Sequence, residues 1–152
     1  MKLKLNSKNL KWLNLKQNKL FLAHVLAPVA IGIFIYLFFR DFEFCGSCGN
    51  YFPIFKQHFY IPSFILYNLP DGLWMYSLIW ILIIIWRFAF SIWLWIYLFI
   101  AFILSIVLEF GQAVDQIPGT FDLLDIYTYI VAFFIGLSTF LFYKIFNKNT
   151  SK

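Results

Sequence analysis

The chain has 152 residues, 62% of them hydrophobic, 24% aromatic and only 12% charged, with a net charge of +5. Soluble domains carry about 25% charged residues, so a mean hydropathy of +0.80 excludes an ordinary soluble domain and marks an integral membrane protein. In lipid only helices and closed barrels satisfy every backbone polar group, and the apolar runs here are unbroken rather than alternating, which selects helices.

Residues 1–19 form a basic tail in which Lys2, Lys4, Lys8, Lys11, Lys16 and Lys19 interleave with Leu3, Leu5, Leu10, Trp12, Leu13 and Leu15. Such a pattern suits a segment lying on an anionic leaflet. Because the charge adjoins a span, the expected partner is membrane lipid and not nucleic acid. The first span, 20–39, has the ~20 residues needed to cross ~30 Å of hydrocarbon. It reads as retained rather than as a cleaved signal, since the run is too long and closes on Phe38, Phe39 and Arg40 in place of small residues. His24 reads as a packed or interfacial residue and is not assigned to a site.

A long loop, 40–71, comes next. It holds the two cysteines of the chain, in Cys45-Gly-Ser-Cys48. On an oxidising face a pair this close is expected to be joined as a structural disulfide or to be redox-active. Four spans with a C-x-x-C pair resemble the DsbB and vitamin K epoxide reductase class of thiol oxidoreductases, which relay electrons through a second pair that this chain lacks. His58 alone is too little to make the pair a zinc site, so no metal is assigned. Farther along, Phe52, Phe55, Phe59, Tyr60, Phe64 and Tyr67 are the aromatics of a headgroup-level belt, expected to lie along the interface or dip in as a short piece covering what lies below.

The second span, 72–87, and the third, 91–111, are separated by a very short connection after Arg87, which makes them an antiparallel hairpin. The fourth, 123–143, carries Gly136 at mid-depth and leads into a basic tail, 145–152. Ten of the twelve basic residues flank one side, leaving Arg40 and Lys56, while all seven acids fall on the other. By the positive-inside rule both termini are cytoplasmic, and 40–71 and 111–122 face outward. The expected fold is therefore an all-α, single-domain four-helix bundle over 20–144.

Four of the seven acids crowd into 109–125. Glu109 sits inside an apolar run, where an ionised carboxylate costs roughly 2.5–3.5 kcal/mol at the centre of a span and less toward its end. Gln112, three residues on, shares its face, and the resulting polar stripe should point into the protein. Pro118-Gly119 reads as a turn, after which Asp122 suits an N-cap and Asp125 the first turn of the fourth helix. Asp71, following Pro70, has the same place in the second. Capping accounts for these carboxylates one at a time but not for their meeting at one end of the molecule. Glu109, Gln112, Asp122, Asp125 and Asp71 are thus the candidate ligand-binding residues, with Cys45 and Cys48 the disulfide or redox pair. The catalytic residues and the cofactor are not legible.

Glu109-x-x-Gln112, a Pro-Gly turn, Thr120-Phe121-Asp122-Leu123-Leu124-Asp125 and then Gly136 resemble the conserved block of the VanZ-like membrane proteins, small bacterial inner-membrane proteins of about four spans. Related families share an Asp-Gly-Leu-Trp start like that of Asp71 to Trp74, so the likeness covers 71–136. It implies a bacterial inner-membrane location and an envelope role. Where the family block has an Arg before the paired aspartates and an Asn one turn after them, this chain has Gly119-Thr120-Phe121 and Tyr129. Three functions stay open: an envelope protein acting on a lipid-linked or cell-surface ligand, a non-catalytic subunit of a larger membrane complex, and a thiol-disulfide oxidoreductase.

Overall fold

The computed structural model describes residues 18–39 and 61–149, and over them the regular structure is entirely helical. Cys45 and Cys48, residues 1–17 and 150–152 and most of the aromatic loop lie outside the described residues, and 145–149 of the expected basic tail continue the last helix. Five helices follow in order: α1, Asn18–Phe39; α2, Ser63–Tyr67; α3, Leu69–Ile85; α4, Ile92–Ala113; and α5, Leu123–Asn149. Helices α1, α4 and the Leu123–Phe146 part of α5 are long and apolar enough to cross a membrane.

The second expected span corresponds to α3, whose 17 residues reach about 25 Å at ~1.5 Å per residue, short of the ~30 Å of hydrocarbon. This helix is also the most enclosed. Met75, Ile79, Trp80 and Ile83 are buried, and Trp80 has no exposed surface at all. Elsewhere the usual pattern is inverted, with large apolar side chains outside: Phe99, Ile100, Ile103, Leu104 and Val107 of α4 are all exposed. On a soluble domain such a face would be an aggregation hazard; on a span it meets lipid.

Two helices that are not neighbours in sequence make the closest pair. α3 and α5 run parallel in one register: Gly72 lies against Thr128, Gly136 against Ile79, and Trp80 Nε1 donates to Thr139 Oγ1 at 3.1 Å. Lipid tails are as apolar as leucine, so helices in a bilayer associate through close packing, which small residues permit. α1 runs antiparallel to α3, with His24 stacked on Trp80 at 3.9 Å between ring centroids and Gly32 against Trp74. His24 is packed as expected, its Nδ1 2.6 Å from the Tyr76 hydroxyl.

One irregularity escaped the hydropathy reading. Over Leu22–Leu26 the first helix widens to a π-helix, with Ala27 N–H reaching back to Leu22 O. Pro28 supplies no N–H and presses on the preceding turn, and a wide turn placed before it accommodates both demands. The carbonyl of Val25 in this turn accepts a hydrogen bond from Ser77 Oγ at 3.3 Å, tying α1 to α3.

The α3–α4 connection turns through Arg87 and Phe88, both at positive φ, 50° and 60°. Lys19, Arg87 and Lys144 gather at this end, where Lys144 Nζ lies 4.9 Å from the Phe90 ring centroid. The start of α3, the end of α4 and the start of α5 form the opposite end, and the acids among the described residues are there.

Candidate functional site

At the acidic end α4 terminates by bringing the Gln116 and Ile117 amides onto Gly111 O, at 2.9 and 3.2 Å. The chain then passes through Asp115, at φ 54°, to Gly119, at φ 144°. Glycine is required at 119 for two reasons. Its φ suits no L side chain, and a Cβ there would come within 2.5 Å of Gln112 Oε1. The expected Pro-Gly turn is thus packed against the Gln112 amide.

Glu109 is only 3% exposed. Its Oε1 accepts the backbone N–H of Asp122 at 2.9 Å, so a carboxylate of α4 satisfies an amide at the start of α5. Asp122 Oδ1 in turn accepts the Leu124 N–H at 2.9 Å, the expected N-cap. The acids near the start of α5 also gain from the positive end of its helix dipole.

Asn68, which the sequence reading passed over, joins these groups. It is 2% exposed, and its Nδ2 donates to Asp122 Oδ2 at 2.9 Å and to Asp125 Oδ1 at 2.7 Å. With both neighbours being acceptors, the amide nitrogen must face them. This bond, followed by that from the Leu124 amide, holds the Asp122 carboxyl below the usual aspartate range. A depressed carboxyl stabilises the fold above its unfolded value, ~3.9, and loses that contribution as pH falls through the lower folded value. Asp122→Asn is accordingly expected to flatten the acid limb of the stability–pH curve below about pH 4, read as the unfolding midpoint in mild detergent.

Asp71, Glu109, Gln112, Asp122 and Asp125 all line one cleft of about 390 Å³, together with Ser63, Tyr67, Asn68, Thr120 and Tyr129. The five residues chosen from sequence therefore come together, from three helices. Asp41 and Glu43 lie outside the described residues, and Asp115 is not part of the lining. Tyr129 is within electrostatic reach of Asp71, Asp125 and Glu109. Among the described residues no lysine or arginine lines the cleft, so the field of the described wall is negative. Among the described residues no group of three His, Cys, Asp or Glu converges as a metal ligand set.

Two signals would have added the missed residues. Tyr129 follows Asp125 by four positions and so shares its face of α5. Asn68 is an amide at the mouth of a span, just before Pro70 and Asp71, where a turn is the ordinary reading. Comparison of the chain with known families, with curated proteins and with solved structures finds no match to any of them.

Proposed function

We propose that this chain is a VanZ-like bacterial inner-membrane protein of four spans, with both termini cytoplasmic, whose outward-facing cleft binds the amine-bearing part of a cell-envelope or lipid-linked ligand. The observation that carries this reading is the gathering of Asp71, Glu109, Gln112, Asp122 and Asp125 around one cavity that no basic residue among the described ones lines. Helix ends need no more than their own caps, and these acids exceed that need. The α3 helix counts as a span in this reading because Asp71 starts it at the acidic end and Arg87 follows it at the basic end.

The polyamine spermidine, which carries donors and positive charge without a tail, tests the site directly. Wild-type protein in mild detergent is expected to bind it with an affinity that falls as salt rises. Glu109→Gln and Asp125→Asn should each weaken binding about tenfold, near 1.4 kcal/mol, in protein that still inserts. Equal binding by wild type and both variants would sink the proposal.

A second reading, a non-catalytic subunit of a larger membrane complex, draws on the exposed apolar groove of α4 between Phe99, Ile103 and Val107. A reproducible protein partner at fixed stoichiometry in native mass spectrometry would favour it. The thiol-exchange reading rests on Cys45 and Cys48 alone.

A further inference from the structure

The basic end of the bundle carries charge that no neighbour neutralises. Among the described residues every acid lies toward the other end, and the length of α3, about 25 Å, stands between the two. Arg87 is exposed and Lys144 half-buried, and neither has a carboxylate within reach among the described residues. Beyond about 8 Å, charges in water at physiological salt are largely screened from one another, so the acids of the far end do nothing to offset these two cations.

Packing brings the two together from distant parts of the sequence. The rings of Phe88 and Tyr143 lie 5.1 Å apart between centroids, so Arg87 and Lys144, which adjoin them, share one corner of the bundle. Lys144 Nζ is 4.9 Å from the Phe90 ring centroid and 5.9 Å from that of Phe140. Those ring faces hold the ammonium in place without cancelling its charge. The same connection leaves Phe90, Ile92 and Trp93 exposed, at 56%, 69% and 60%. Cations beside exposed aromatic rings are the pattern of the headgroup level. From Ile92 and Trp93 the apolar surface continues into Ile96 and Ile100, also exposed, on a helix long and apolar enough to cross a membrane. A soluble anion at Arg87 and Lys144 would leave that surface bare, whereas a lipid covers it.

We propose that this corner binds an anionic membrane phospholipid, its headgroup phosphate at Arg87 and Lys144 and its alkyl chains along the face of α4 that begins at Ile92 and Trp93. In the orientation proposed above this end meets the cytoplasmic leaflet, whose surface is anionic. The fold fixes the spacing of these two cations, so they select one lipid molecule instead of concentrating many, as tail lysines do.

Dioleoyl phosphatidylglycerol and dioleoyl phosphatidylcholine share their chains and differ in charge, so titrating each into the full chain in mild detergent, with native mass spectrometry as the readout, isolates the headgroup. Phosphatidylglycerol is expected to bind at least about tenfold more tightly. Arg87→Gln and Lys144→Gln should each weaken it about fivefold and leave phosphatidylcholine unchanged, which also shows that the variants are folded. Arg87→Lys, which keeps the charge, should restore most of the affinity. Lys4→Gln removes one charge from the tail and is expected to cost no more than about twofold, since tail charge acts through screening solvent. Equal affinity for the two lipids, or a loss from Lys4→Gln as large as that from Arg87→Gln, overturns the site, because the charge then acts diffusely. Displacement of phosphatidylglycerol by glycerol 3-phosphate or by a short oligonucleotide at the lipid's own concentration overturns the lipid as its occupant. Glu109→Gln should leave every one of these affinities unchanged, so this inference and the amine-binding cleft stand or fall separately.

Discussion

Replacing Asn68 with leucine is expected to destabilise the protein by about 3 kcal/mol, two hydrogen bonds to charged groups at roughly 1.5–3 kcal/mol each, less what a neutral filler recovers. The two side chains are similar in size, so the loss is not a cavity but a missing donor. Asn68 Nδ2 gives hydrogen bonds to Asp122 Oδ2 and Asp125 Oδ1, and without it two carboxylates of one helix face an apolar side chain. Asn68→Asp keeps the shape and replaces the donor with a third acceptor, so it should be worse than leucine at neutral pH. Thermal unfolding in mild detergent decides the matter: an aspartate variant as stable as wild type at pH 7 would mean that the amide does not bridge the pair.

Gly72→Leu should be of similar size, about 3 kcal/mol, at the upper end of overpacking effects. A Cβ at position 72 would sit 2.6 Å from Thr128 Cγ2. That methyl can withdraw only by rotation about χ1, which is stiff in a β-branched residue and would take Oγ1 off its hydrogen bond to Leu124 O. The alternative is separation of α3 from α5. Gly72→Ala isolates the clash, since alanine would otherwise gain about 1 kcal/mol over glycine within a helix; a net loss shows that sterics win. Thr128→Ser removes the methyl and keeps the hydroxyl, so the double variant should regain most of that loss, a coupling measurable by a double-mutant cycle. Strict additivity would refute the contact.

Much of the fold was legible because lipid imposes a simple code. Run lengths and flanking lysines located the helices to within a few residues, as with 91–111 against Ile92–Ala113 and 20–39 against Asn18–Phe39. Hydropathy does not register backbone hydrogen bonding, so the π-helix before Pro28 was invisible to it. Nor does it distinguish a helix facing lipid from one facing protein, and α3 reads like its neighbours although it is largely enclosed.

The site divides in the same way. Glu109 and Gln112 stood out as polar groups within an apolar helix, and Asp122 and Asp125 as acids beside a Pro-Gly turn. Tyr129 was hidden among 24% aromatic residues, where one more tyrosine carries little information. Asn68 was hidden by its turn-like setting, and its role depends on a contact across 54 and 57 positions that no local pattern encodes.

The parallel pairing of α3 with α5 has a bearing on the order of assembly. A helix this short, with Pro70, Asp71 and Gly72 in its first turn, is a poor resident of bare lipid, yet its principal partner is synthesised only after α4. Until then α1 is its main cover, and the face bearing Gly72 and Ile79 stays open to the bilayer. Arrival of α5 fills that face and, in the same step, delivers Asp122 to Glu109 and Asp125 to Asn68. The cleft is therefore a late product of synthesis: a chain interrupted before residue 123 lacks the wall that Leu124, Asp125 and Tyr129 supply.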